Sequence, residues 1–198
     1  MAWSPDYVTA EVLREYVDVD DLDDDAQIGL AITAASRAID DHTNRQFGKV
    51  DAPEERLYTA RPDYETGYWV ADVDDVMEID DLTVSVDGNT VATFQMGPAN
   101  AAAKSRPWTR IGFTGDSEHR PTGCPLEVAV TAVWGWTAVP EPVRQATVLQ
   151  ANRLLKRRHA PFGVAGSPEL GSELRLLARV DPDVAVSLRG LGRMRAVG

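Results

Sequence analysis

The sequence predicts an α+β chain: a helical body of two long helices plus a short N-terminal helix, an inserted small antiparallel β domain, and an extended C-terminal arm. Three observations predict it. An apolar stripe of helical period runs through residues 26–43, the pattern changes after Gly48 to short β-rich runs with turn residues between them, and a second helical stretch opens at Pro142. The expected divisions are 1–53 for the N-terminal helical part, 54–138 for the β-rich insertion, 139–160 for a C-terminal helix packing on the N-terminal helices, and 161–198 for a docking arm.

Thr9 is a good N-cap for a short helix to about Val17, with Val12, Leu13 and Tyr16 along one side. The run Asp18 to Asp25 is nearly all carboxylate and reads as linker and cap, since negative charge is favourable at a helix N-terminus. From Ala26 to Thr43, Ile28, Ile32, Ala35 and Ile39 recur at helical spacing, and Ala31, Ala34, Ala35 and Ala38 would let a second helix approach closely. In the β region the expected runs are Leu57–Thr59, Tyr68–Val70, Val76–Ile79, Leu82–Val86, Val91–Phe94, Arg110–Phe113 and Leu126–Trp134. Asp87-Gly88-Asn89 is the strongest hairpin signal, because these residues tolerate the positive φ of a tight return. Residues 97–107 and 114–125 read as loops. Pro142 fits the first turn of a helix to about His159, whose end Lys156-Arg157-Arg158 suits the carbonyl end of the dipole. Residues 161–198 hold six glycines, a possible strand Glu173–Leu177, and a last helix announced by Asp181-Pro182 with Val184, Leu188 and Leu191 on one side.

Length 198, net charge −11, one cysteine and 43% hydrophobic residues describe a soluble globular chain of one or two domains and exclude collagen, coiled-coil rod and disulfide scaffold. Cys124 has no partner for an internal disulfide, which fits a reducing compartment. No apolar run approaches the ~20 residues that span a bilayer, and Met1 to Asp6 carries neither a basic nor an apolar leader region, so neither export nor membrane anchoring is expected. Charge is divided unevenly: residues 1–53 hold 12 acids and 4 bases, 54–138 hold 14 and 6, and 139–198 hold 5 and 10. A pI near 4.7 argues against wrapping nucleic acid, though an acidic surface can let DNA slide past without sticking.

Catalytic patterns are sparse. Counted from Asp21, the acidic stretch places Ala26 at the glycine position of a calcium loop and Ile32 where a bidentate Glu is needed. His42, His119, His159 and Cys124 are scattered without zinc spacing. Asp72, Asp74, Asp75, Asp80 and Asp81 alternate with Val73, Val76 and Ile79, which a solvated strand edge and turn explain more simply than paired catalytic carboxylates. No GxSxG elbow or phosphate-binding glycine loop occurs, and His119 lies five residues before Cys124 in a loop rather than in a triad pattern. The basic cluster at Arg153, Lys156, Arg157 and Arg158 has two readings, a solvated helix end or, with Arg175, Arg179, Arg189, Arg193 and Arg195, a surface that docks on acidic protein or touches phosphate. Trp134 and Trp136 around Gly135 read as core and strand-end packing rather than a ligand platform.

Two blocks, Ala34-Ala35-Ser36-Arg37-Ala38-Ile39-Asp40-Asp41-His42-Thr43-Asn44-Arg45-Gln46-Phe47 and Trp134-Gly135-Trp136-Thr137-Ala138-Val139-Pro140-Glu141-Pro142-Val143-Arg144-Gln145-Ala146, are followed by the basic helix end and Ala160-Pro161-Phe162-Gly163-Val164-Ala165-Gly166. In this order they resemble head-to-tail adaptor (connector) proteins of long-tailed bacteriophages. The resemblance implies a structural virion protein with no enzymatic activity and no cofactor, assembled in the host cytoplasm and located in the neck. It implies a homo-oligomeric ring, usually of twelve subunits, beneath the portal protein, meeting a head-tail stopper or tail completion protein below and leaving a channel through which DNA passes without specific binding; no membrane is involved. On that basis Arg153, Lys156, Arg157, Arg158, Arg189, Arg193 and Arg195 are portal-docking candidates. Asp23, Asp24, Asp25, Asp40 and Asp41 are channel-lining candidates. Family members often have a much shorter segment where this chain carries residues 54–138. Two competing classes stay open: a calcium- or carbohydrate-dependent ligand-binding β module with helical flanks, and a hydrolase using His119 and Cys124.

Overall fold

The structure is a computed structural model that describes residues 4–17, 25–116, 119–123, 125–158, 164–165, 174–175 and 182–193. The chain divides into two compact units, Gly48–Ala138 with the first three residues, and Ser4–Phe47 with Val139–Gly198.

The first unit is a seven-stranded antiparallel sheet. Its strands are β1 (Glu54–Asp63), β2 (Tyr68–Val76), β3 (Thr83–Val86), β4 (Asn89–Thr90), β5 (Phe94–Gly97), β6 (Trp108–Thr114) and β7 (Glu127–Ala132), in the order β4-β3-β7-β1-β2-β6-β5. The pleat sends alternate residues to opposite faces. On β7 and β3 this buries Val128, Val130, Ala132, Val84 and Val86, while Glu127 and Thr83 stay in water. Ile111 opposite Ala71 and Phe113 opposite Trp69 continue the same core layer toward β5. The expected hairpin forms around Asp87 and Gly88, both at positive φ (49° and 84°), but it is short. Only Ser85 with Thr90 and Val86 with Asn89 pair across it, and Phe94 belongs to β5, opposite Phe113.

The second unit holds α1 (Ala10–Val17), α2 (Asp25–Thr43), α3 (Glu141–Arg158), α4 (Pro182–Leu188) and a two-residue ladder of β8 (Val164–Ala165) with β9 (Leu174–Arg175). On α2 the expected stripe Ile28, Ile32, Ala35, Ile39 is buried, together with Ala31, Ser36 and Thr43. α3 packs against α1, α2 and α4, so Val143, Ala146, Thr147, Val148, Gln150 and Ala151 are buried around much of its circumference instead of along one stripe.

The expected architecture is corrected here. The fold is dominated by the sheet and is not a helical body of two long helices carrying a small β insertion. Among the largest fully buried side chains, Trp134, Phe113, Ile111, Val73, Val76, Val84, Val86 and Val128 belong to the sheet unit, and Phe47, Leu13, Ile39 and Leu188 to the helical one. The physical reason lies in β1 and β2, which run for 10 and 9 residues where the sequence suggested three each. Charged residues on their solvent face interrupt the apolar pattern without interrupting the strand. The expected extended C-terminal arm is corrected as well over its described part. α4 buries Val184 and Leu188 against α3, Leu191 is buried behind it, and the Arg193 N–H donates to the Thr43 carbonyl at 2.8 Å.

Candidate functional site

The two residue blocks singled out in the sequence each build a latch, one in each unit. In the helical unit Tyr7 lies on α2. Its hydroxyl donates to Asp40 Oδ1 and accepts the Phe47 N–H at 3.0 Å, while its own N–H donates to Ser36 Oγ at 3.2 Å. The Ser36 hydroxyl in turn donates to the Ile32 carbonyl at 2.9 Å. Arg37 pins the segment before α1 by donating to the carbonyls of Ser4 (2.9 Å) and Pro5 (2.8 Å), with its Nε 3.0 Å from Asp40 Oδ2. The Phe47 ring meets Tyr7 edge-on at 5.8 Å, and Asn44 turns the chain out of α2 at φ 50°. Burial, reinforced by the Asp40 carboxylate, pushes the Tyr7 phenol far above its ordinary range. Burial also raises the Asp40 carboxyl, against the downward pull of the Tyr7 hydroxyl and the Arg37 charge.

In the sheet unit the latch is Trp134-Gly135-Trp136. Gly135 has φ 115°, and a Cβ there would lie 2.0 Å from the Gly48 carbonyl oxygen, so only glycine lets the two backbones meet. The Gly135 N–H donates to the Asp75 carbonyl at 2.7 Å and the Trp136 N–H to the Gly48 carbonyl at 2.8 Å. The Trp136 indole N–H donates to Asp75 Oδ2 at 2.8 Å, and the Trp134 indole N–H to the Glu54 carbonyl at 2.7 Å. Arg56 lies 4.9 Å over the Trp134 ring and donates to Asp74 (2.8 Å) and Glu54 (3.1 Å), while the Tyr58 hydroxyl donates to Asp74 at 2.9 Å. Burial, with the Asp74 charge beside it, raises the Tyr58 phenol well above its usual range.

Asp75 is the residue that sequence reasoning misplaced. Expected on a solvated strand edge with its neighbours, it is 7% exposed, because the β2–β6 register shifts between Asp72 and Val76 and turns it toward Trp136. The Asp74-Asp75 doublet breaks the valine alternation there, but which of the two aspartates turns inward is set by the pairing with β6. Asp72 accepts from Arg61 (2.8 Å) and Arg110 (3.1 Å), and Asp80 and Asp81 are exposed at the following turn. Also unforeseen is Tyr64, 91% exposed at the tip of the β1–β2 hairpin, where Asp63 Oδ1 accepts the Glu65 N–H at 3.1 Å and Gly67 closes the turn at φ 74°.

The docking candidates fall on α3 and just beyond α4. Lys156 and Arg189 are exposed, and Arg153, Arg157 and Arg193 are partly buried. The Arg158 side chain and Arg195 lie outside the described residues, as do Arg179 and the Arg175 side chain. Of the acidic candidates, Asp41 is exposed, and Asp25 opens α2 in an ion pair with Arg14. Asp40 has both oxygens engaged, by Tyr7 and Arg37, and so faces into the latch. Asp23, Asp24, Cys124 and His159 lie outside the described residues. Among the described residues no group of three or more His, Cys, Asp or Glu is placed to hold a metal ion, and no helix is long and apolar enough to cross a membrane.

No family model and no curated protein matches the chain. Among solved structures it is similar to one described as the neck of a native GTA particle computed with C12 symmetry. The two share 18% identity over 100% of this chain and 98% of that one, with a TM-score of 0.48. A likeness this distant assigns no family.

Proposed function

We propose that this chain is a non-catalytic structural subunit of a tailed-particle neck. Its copies join side by side into a ring, the ring seats on the portal through the basic residues of α3 and the segment after α4, and DNA passes through the opening without specific binding. The observation that carries this reading is the separation of charge along one polypeptide, −8 over residues 4–47 and +5 over residues 139–198, the two segments that make up one unit. A subunit that meets unlike partners on unlike faces needs such a division, because opposite potentials steer the correct encounter and oppose the wrong one.

Three further observations support it. The blocks that resemble phage adaptors are used here to fix backbone, through Tyr7, Arg37 and Asp40 in one unit and Gly135, Trp136 and Asp75 in the other. Lys156 and Arg189 face solvent, where a partner can reach them. The aspartates that a ligand-binding β module would use are engaged within the sheet unit, Asp72 with arginines, Asp74 with Arg56 and Tyr58, and Asp75 with an indole.

The test is the double reversal Arg157→Glu with Arg158→Glu, reading portal association and self-association separately at low and high salt. The reading expects portal association to fall by an order of magnitude or more at low salt, with self-association retained. Equal loss of both, or loss of neither, overturns it.

A further inference from the structure

The chain between β5 and β6 forms a small self-supporting loop. The Ala101 N–H donates to the Pro98 carbonyl at 3.0 Å, and the N–H groups of Lys104 and Arg106 both reach the Ala101 carbonyl, at 3.0 and 2.9 Å. Ser105 turns the chain at φ 50°, its N–H donating to the Ala102 carbonyl at 3.0 Å. Ala101 is buried beneath, while Pro98, Ala99, Ala102, Ala103 and Lys104 are exposed. A loop already held by its own backbone bonds loses little conformational entropy when a partner covers it.

Its charge is unlike that of the unit that carries it. Residues 97–107 hold Lys104 and Arg106 and no acid, whereas residues 54–138 together hold 14 acids and 6 bases. Lys104 makes no ion pair among the described residues. The helical unit offers the complement, since residues 4–47 hold 11 acids and 3 bases. With Ile28, Ile32, Ala35 and Ile39 turned inward, the outward face of α2 centres on Leu30, which is 65% exposed. At 3.6 residues to the turn, Asp41 returns to the same face about 16 Å further along. Thr33 and Ala34 between them are exposed and uncharged, and Arg37 is engaged by the Ser4 and Pro5 carbonyls and by Asp40. Asp41 is exposed and pairs with no cation among the described residues.

We propose that the loop of one copy docks on the outward α2 face of a second copy, its apolar residues covering Leu30 and Ala34 and its Lys104 meeting Asp41. This rests on the ring reading above and names the surfaces by which copies join. The two surfaces are different parts of the chain, so the contact is head-to-tail, the kind that closes into a ring, and their opposite charges fix its direction. Asp41 then belongs to the seam between copies, and the basic residues of α3 stay free for the portal.

The experiment is sedimentation velocity of the full chain up to millimolar concentration, at low and high salt, with thermal unfolding to confirm that each variant folds as the natural chain does. Lys104→Glu and Asp41→Lys should each weaken self-association about fivefold at low salt, a difference that high salt removes. Mixed in equal amounts, the two variants should associate as the natural chain does, because in alternation each reversed loop meets a reversed helix and each natural loop a natural helix. Leu30→Ser should weaken self-association about tenfold at either salt. Where a reversal disturbs folding, Lys104→Ala and Asp41→Asn carry the same test, with losses of about twofold. Variants that associate as tightly as the natural chain, or a mixture no better than its components, overturn the contact and leave the ring reading standing. A natural chain that stays monomeric at millimolar concentration overturns both.

Discussion

Replacing Gly135 by alanine tests the sheet-unit latch most sharply. The new Cβ would sit 2.0 Å from the Gly48 carbonyl oxygen and 2.7 Å from the Lys49 Cα, both backbone atoms that cannot rotate away. The residue would also be held at φ 115°, where an L side chain costs about 1–3 kcal/mol. Relieving the contact means separating the two segments, which endangers the bonds from Trp136 N–H to Gly48 and from Val50 N–H to the Trp134 carbonyl, each worth about 1 kcal/mol. Together the loss comes to roughly 3–5 kcal/mol, a large share of the 5–15 kcal/mol typical of a domain. Urea unfolding followed by tryptophan fluorescence is the assay, since Trp69, Trp108, Trp134 and Trp136 all lie in this unit. Gly88→Ala is the control. It has positive φ (84°) but open space around the added methyl, so it should lose only about 1 kcal/mol. If Gly135→Ala costs no more than Gly88→Ala, the close approach at Gly48 does not hold the unit together.

Trp136→Phe removes the donor to the buried Asp75 carboxylate and should destabilise by about 2–3 kcal/mol in the same assay; adding Asp75→Asn should recover part of that, and a strictly additive double variant would contradict the pairing. Tyr7→Phe strips Asp40 and the Phe47 N–H of their partner, and a loss of about 2 kcal/mol in thermal unfolding is expected. For Asp40 the sign follows from its raised pKa. As pH climbs past the usual carboxylate value of about 3.9, the unfolded chain gives up this proton before the folded one does, so folding loses ground through that window and levels off above it. The stability of the natural chain relative to Asp40→Asn should therefore fall as pH rises above the ordinary carboxylate range, and a relative gain with rising pH would show that Arg37 and Tyr7 outweigh burial.

What could be read in the sequence depended on how many sides of each element are buried. α2 has one buried face, so its stripe stands out at Ile28, Ile32, Ala35 and Ile39. α3 is packed by three helices, and its buried set, with Thr147 and Gln150 among it, follows no single period. The sequence of β1 reads as a strand only over Leu57–Thr59 because its solvent face carries Glu55 and Arg61 and its half-buried face carries Glu54 and Arg56, charges that a strand tolerates when ion pairs and an aromatic ring receive them. Trp134 and Trp136 read from the sequence as core and strand-end packing, and both are buried; the close backbone approach at Gly135 has no sequence signal of its own. Nor has the inward turn of Asp75, because the shift that produces it is a property of pairing with β6. Tyr7 escaped notice for a related reason: its contact with Asp40 spans 33 residues and no local pattern announces it.

The neck assignment meets its most direct test in electron cryomicroscopy of intact particles from the system that encodes this chain. The expected image is a closed ring of copies between the portal and the tail, with α3 and the segment after α4 turned toward the portal. Particles that lack the chain, or that carry it with Lys156 and Arg189 directed into open solvent away from every partner, would contradict the assignment.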